Sequence, residues 1–246
     1  MSYRNPARRL LLVVAAALVS SCGASINEHL LLARHGDIVE VREAIVGIGG
    51  ELASRQSAGF TLDEGELEAV AFLRDVAERH SDPVSRMAAI SALSLLRDPT
   101  STDTFLRVLD DAHFGVRWEA AKALAAQPSP RAVEALEARL EAEPRAEVRL
   151  DLIKALIAIG DRPAVAALLR AFLDLSDRYG TFRSTIHRGL VELTGREYPL
   201  VDERAWREYA EQELGESTSK RTATPRTNSR DGSMGAPQVL GSGEEG

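Results

Sequence analysis

The chain has 246 residues, 44% of them hydrophobic and only 5% aromatic, enough for one ordinary core or a short array of repeats. Its net charge of −7 works against DNA or RNA, whose phosphates repel an acidic surface. A single cysteine excludes an internal disulfide or a CxxC pair, so the fold must stand on packing alone.

Residues 1–21 differ from everything after them. Arg4, Arg8 and Arg9 precede an apolar run over 10–19, and small residues lead into Cys22. The run is short of the roughly 20 apolar residues that a helix needs to span a bilayer. Basic, apolar and small segments in that order predict an export signal over 1–21. Val19, Ser20, Ser21 and Cys22 resemble the lipobox of bacterial lipoproteins: an aliphatic residue, two small ones, then cysteine. The resemblance implies cleavage before Cys22, its lipidation, and a cell-envelope location facing the periplasm or exterior. Gly23, standing where inner-membrane residents carry Asp, resembles outer-membrane cargo. The alternative is an ordinary cleaved signal or an uncleaved anchor. Removal of 1–21 takes the net charge from −7 to −10, so the lipid, not the protein surface, would hold the membrane.

The mature region, 22–214, reads as all-α. Leu, Ala, Arg and Glu dominate it, a bias that suits helices. Ser25 and Glu28 form a capping box for an N-terminal cap helix over 25–35, close behind Cys22. Residues 50–62, rich in Gly and polar side chains, read as a loop inserted between repeats.

An internal period runs through the middle. Arg42, Arg86, Arg117, Arg149 and Arg183 head similar segments, the last three steps being 31, 32 and 34 residues and the first 44. Three, four and seven residues after the Arg stand apolar side chains, such as Ala120, Ala121 and Leu124, or Leu152, Ile153 and Leu156. That spacing is one face of a helix. His187 interrupts it in the last copy and reads as a satisfied core residue. A second apolar stripe precedes each segment, for example Val133, Leu136 and Leu140. Pro130 and Pro163 suit first helical turns. Helix, turn, helix every thirty-odd residues predicts a short α-solenoid of four or five repeats.

From Asp37 to Gln212 these segments resemble the HEAT-like repeats of bacterial proteins, including the phycobilisome lyase type. Such repeats place an acid six positions before the Arg, and Asp111, Glu143 and Asp177 stand there before Arg117, Arg149 and Arg183. The resemblance implies a structural ladder in which these pairs tie neighbouring repeats together. His80 and Gly36 occupy the corresponding positions before Arg86 and Arg42, a departure at the N-terminal end. Residues 193–214 resemble the closing segment of such proteins, with Trp206 as a cap over the last core face. From 215 to 246 the chain is rich in Ser, Thr, Gly and Pro with balanced charge, and reads as a disordered tail.

No catalytic signature stands out. The five histidines lack the spacing of metal ligands, and no phosphate-binding glycine loop or GxSxG occurs, so neither cofactor nor metal is expected. Glu134, Glu137, Glu141 and Glu143 read as a solvated face. The resemblance implies that the second helices line the concave surface. The residues just after the key Arg, Met87, Trp118 and Leu150, then form an apolar row, and Lys122, Lys154 and Arg188 a basic one. Exposed Trp beside cations is a composition that interfaces favour. The alternative is that the first row packs between repeats and the second pairs with Glu119 and Asp151. The reading is therefore a non-catalytic, lipid-anchored scaffold that binds a protein or peptide, without nucleic acid. A lyase-like enzyme and a self-associating envelope protein are the alternatives.

Overall fold

The computed structural model describes residues 25–174 and 180–215. The expected leader, Cys22, the ladder acid Asp177 and the expected tail beyond Gly215 lie outside these residues. Among the described residues there are eleven α-helices and no strand.

The helices come in consecutive pairs: α1 (Ile26–His35) with α2 (Ile38–Ser57), α3 (Glu64–Arg79) with α4 (Pro83–Leu96), and α5 (Thr102–Val108) with α6 (Phe114–Ala126). They continue with α7 (Val133–Ala142) and α8 (Ala146–Ile159), then α9 (Arg162–Asp174) and α10 (Gly180–Thr194). A final helix, α11 (Glu203–Tyr209), runs into one π turn, Ala210–Leu214. Each even-numbered helix packs on its own odd partner and on the next even helix, from α2 through α10. The odd helices lie beyond them, α1 beside α3 beside α5 and α7 beside α9. This is an α-solenoid of five helix pairs.

The apolar offsets read from the sequence are what close it. Ala89, Ile90 and Leu93, Ala120, Ala121 and Leu124, and Leu152, Ile153 and Leu156 are all fully buried. Each large side chain so buried contributes roughly 1.5–3 kcal/mol. The ends of the helices are set by side chains as much as by packing. Asp37 and Asp63 make capping boxes with Glu40 and Glu66, and Asp82 and Asp202 accept from Ser85 and Ala205 backbone N–H groups. Ser25 and Glu28 do the same for α1. Pro130 opens a 3₁₀ turn that leads into α7.

The expected loop over 50–62 is a correction. Helix α2 runs on to Ser57, so only residues 58–63 connect it to α3. The break reads from Gly50 onward, but Gly49, just before it, lies where α2 meets α4, and a Cβ there would stand 2.5 Å from the Cβ of Ala92. The glycine permits close approach, and Leu52, fully buried, carries the apolar stripe past it. Tertiary packing overrides the weak local propensity. An ion pair between Arg55 and the buried Glu66 fastens the extra turns to α3.

At the far end Trp206 is 0% exposed and lies edge-on to Tyr198, Phe172, His187 and Tyr209 at centroid distances of 5.0–6.3 Å. The Nε2 atom of His187 bonds the Tyr198 carbonyl at 2.7 Å. His187 is thus a satisfied residue of the closing cluster.

Candidate partner-binding face

The ladder has a geometry that sequence spacing alone did not give. Arg117 donates through Nε and Nη2 to both carboxylate oxygens of Glu143, at 2.8 and 2.9 Å, in the following repeat. Its Nη1 turns back to the carbonyl of Asp111, at 2.8 Å. Arg86 repeats this, forking onto Asp111 at 2.9 and 2.8 Å and donating to the His80 carbonyl. The acid six positions before an Arg therefore supplies its main chain to that Arg, and its carboxylate to the Arg of the preceding repeat. Glu143, grouped above with solvated carboxylates, is 2% exposed because it ends α7 facing Arg117.

The N-terminal departure is likewise corrected. Arg42 forks onto Asp82 at 3.0 and 2.9 Å, so the ladder continues with its acid four rather than six positions before the next Arg. Arg183 meets Glu203 of α11 at 2.6 Å and lies over the Phe172 ring at 4.4 Å. Arg149 donates to the Glu143 carbonyl at 3.2 Å, as its predecessors do to theirs, and its expected partner Asp177 lies outside the described residues.

These contacts show in the protonation of the groups. Burial pushes the Glu143 carboxyl up, but hydrogen bonds from Arg117 and the Arg145 N–H, with both neighbouring guanidinium charges, hold it below its usual value. The same hydrogen bond, against burial, raises Arg117. For Asp82, burial is outweighed by Ser85, through hydroxyl and backbone, and by Arg42, which hold it at about 2. Paired, forked and half-buried, these groups serve register.

The two predicted rows do share the outer side of the even helices. Met87, Trp118 and Leu150 are each half-buried and pack against the core, while Lys122, Lys154 and Arg188 are exposed. The Met87 sulfur lies along Gly115, where a Cβ would stand 2.9 Å from it. The Trp118 indole N–H donates to Asp151 in the next repeat at 2.5 Å. Lys154 bonds the other oxygen of Asp151 at 2.7 Å, and Lys122 bonds Glu119 at 2.9 Å while standing 5.3 Å from the Trp118 ring centre. Both neutralising pairings weighed from the sequence are therefore present. Their orientation matters: the carboxylates of Glu119 and Asp151 lie inward, with side chains 15% and 12% exposed, and the ammonium groups lie outward at 46% and 52%.

Sequence reasoning missed the largest apolar part of this face. On α4, Val84, Met87, Ser91 and Leu95 follow helical spacing along one side, and Leu95 is 62% exposed. On α2 the exposed apolar side chains are Val39 and Val46, and on α6 Phe114 precedes Trp118 by four residues. Helix α4 is apolar on nearly every side, which hid the exposed stripe among core positions. The signal was there: its only charged residue is Arg86, so its outer side had no charge to show to water. The odd layer exposes Leu31 and Leu67 but also pairs its charges. There Glu68 meets Arg34, Glu78 meets Arg107, and Glu137 meets Arg170, each between successive odd helices.

The model for HEAT repeats matches residues 70–157 and, in a second register, 106–186. The chain contains HEAT repeats. The matches begin in α3 and end in α10, so they cover the stretch in which the Arg117–Glu143 rung lies. No curated protein matches the chain. Among the described residues no three His, Cys, Asp or Glu side chains gather as a metal ion would need, and no helix is long and apolar enough to cross a membrane.

Proposed function

We propose that this protein is a lipid-anchored, non-catalytic scaffold of the bacterial cell envelope that holds a protein partner on the outer side of its even-numbered helices. HEAT repeats form helical scaffolds suited to protein interaction. The observation that carries the choice of face is the contrast between the layers. Charges on the odd helices pair with one another, although Leu31 and Leu67 are exposed there too, whereas α4 shows a stripe with no charged residue on which Leu95 is 62% exposed. An apolar centre within a polar rim is how interfaces are built. Met87, Trp118 and Leu150 supply the partner's apolar contacts, with Lys122, Lys154 and Arg188 beside them. The sequence ending at Cys22 supports the anchor, and α1 begins four residues later, which would keep the repeats close to the membrane.

The test is capture from cell envelopes by the full-length protein, read as the identities of co-purifying proteins. Trp118→Ala combined with Lys122→Glu should lose a defined subset while leaving the helical spectrum unchanged. An identical set from the folded variant removes the face from the account. Cys22→Ser should move the protein out of the membrane fraction, and retention there would remove the anchor.

A further inference from the structure

The connection between α2 and α3 is built to hold an aromatic ring in the open. Gly59, at φ 82°, takes the left-handed conformation just past the end of α2. Its N–H bonds the Gln56 carbonyl at 3.0 Å, and the Phe60 N–H reaches back to the Arg55 carbonyl at 3.1 Å. Two such bonds around a left-handed glycine fix the path of a chain leaving a helix. Phe60 follows, 62% exposed, with the Arg55 guanidinium 5.8 Å from its ring centre. From Gln56 to Leu62 the segment carries no charge. Helix α3 begins directly after it, with Leu67 56% exposed near its start. The start of α1 lies alongside: Asn27 Oδ1 would stand 3.9 Å from a Cβ on Gly65, and Arg34 bonds Glu68 at 2.7 Å. Leu31, 50% exposed, shares a stripe of α1 with Asn27 and Arg34. These three apolar side chains therefore gather at the end of the array from which the chain leads back to Cys22.

We infer that this turn is a second lipid contact: Phe60, with Leu67 and Leu31 beside it, enters the interfacial layer of the membrane that carries the anchor. The inference rests on the lipid-anchor reading and goes beyond it, from a tether to a seated surface. The length of the tether names the occupant. Ser25 stands three residues after Cys22, and three residues reach at most about 11 Å. The headgroup layer is itself about 5–8 Å deep on each side of the hydrocarbon. A lipid on Cys22 thus holds the start of α1, and the start of α3 packed beside it, within about that reach of the bilayer. An exposed aromatic ring backed by a guanidinium suits such a position, the ring among the headgroups and the cation turned to water. The acids around it are engaged: Glu66 pairs with Arg55, Glu68 with Arg34, and Asp63 accepts from the Glu66 N–H. Glu64 is left exposed at the same end, so the contact stands on apolar burial and favours headgroups without net charge. Because its main chain is already fixed, the turn loses little further freedom on seating.

The test uses the full-length protein, purified from membranes and reconstituted in phosphatidylcholine vesicles, with a nitroxide on Phe60→Cys, Leu67→Cys or Leu95→Cys. All three positions are exposed, so thermal midpoints should stay in place. Labels on Phe60→Cys and Leu67→Cys should be relaxed more by oxygen, which concentrates in lipid, than by a water-soluble nickel chelate. The label on Leu95→Cys should show the reverse order. Both orders should persist in about 1 M salt, where charge is screened. With Phe60→Asp added, the oxygen-to-nickel ratio at Leu67→Cys should fall several-fold. Water-like relaxation at Phe60→Cys overturns the inference, as does lipid-like relaxation at Leu95→Cys, which would seat the even helices instead. Lipid contact seen only in vesicles containing phosphatidylglycerol also overturns it, since charge would then be the cause. The label count separates the inference from the anchor. Cys22 is the one native cysteine, so a single label per chain means that its sulfur is capped. A single label with water-like relaxation at Phe60→Cys leaves the anchor standing and removes the second contact. Two labels per chain remove the anchor, and the inference with it.

Discussion

Asp82 carries three duties with one carboxylate. It caps α4 through the Ser85 N–H at 2.8 Å, accepts the Ser85 hydroxyl at 2.7 Å, and receives the Arg42 fork from the preceding repeat. Burial raises its pKa, but these contacts win and leave it at about 2 in the folded chain, below its ordinary 3.8. A carboxyl whose folded pKa is depressed stabilises the fold above its unfolded pKa, and that stabilisation fades as pH falls towards the folded value. The ionised form is worth about 1–2 kcal/mol after allowance for solvent around Arg42. Asn is itself a good cap, so Asp82→Asn isolates the charge. Urea midpoints should place the variant about 1–2 kcal/mol below the wild type at pH 7, with the gap closing between pH 4 and pH 2. A gap that is independent of pH would mean that the charge contributes nothing.

At the scale of the element, α2 separates two adjacent glycines by what surrounds them. A Cβ on Gly49 would meet the Cβ of Ala92 at 2.5 Å and its Cα at 3.0 Å, whereas nothing lies within 4 Å of one on Gly50. Alanine is favoured over glycine within a helix by about 1 kcal/mol. Gly50→Ala should therefore raise stability by up to about that amount, and Gly49→Ala should lower it by about 1–3 kcal/mol as α2 is forced off α4. Thermal midpoints of the two variants should move in opposite directions. This is also where legibility in the sequence ended. The helix pairs were readable because Leu124, Leu156 and their equivalents recur at helical offsets from a key Arg. The continuation of α2 was not, because a glycine that allows contact and a glycine that ends a helix look alike without the neighbour. The rows at Trp118 and Lys122 were readable as positions, but their pairing with Asp151 and Glu119 depends on contacts between repeats. Val84 and Leu95 were lost for the opposite reason, since a helix apolar on all sides does not say which side is covered.

For the whole molecule, contacts run between neighbouring repeats, so stability is close to a sum of local terms and their interfaces. The Arg117–Glu143 rung is the most buried of these fasteners, with side chains 9% and 0% exposed. Removing one partner from such a pair costs about 3–5 kcal/mol, because it strands the other charge, whereas replacing both with apolar residues of similar volume is close to neutral. Glu143→Gln should be strongly destabilising, and Arg117→Met with Glu143→Leu should recover only the share that belongs to Arg117, because Arg139 also pairs with Glu143, at 3.1 Å. Hydrogen exchange should show the single variant opening first between α6 and α8, not at the termini. Uniform loss of protection would contradict the nearest-neighbour picture.

In every described rung the guanidinium precedes its carboxylate in the chain, by 40 residues at Arg42, 25 at Arg86, 26 at Arg117 and 20 at Arg183. A polypeptide emerging N-terminus first, from a ribosome or through a pore, thus presents each waiting cation before the anion that will lock onto it. The same anion, once seated at Asp82, Asp111 or Glu143, organises the bend from which the next helix starts. Each of these carboxylates thus joins the Arg before it to the start of the helix after it.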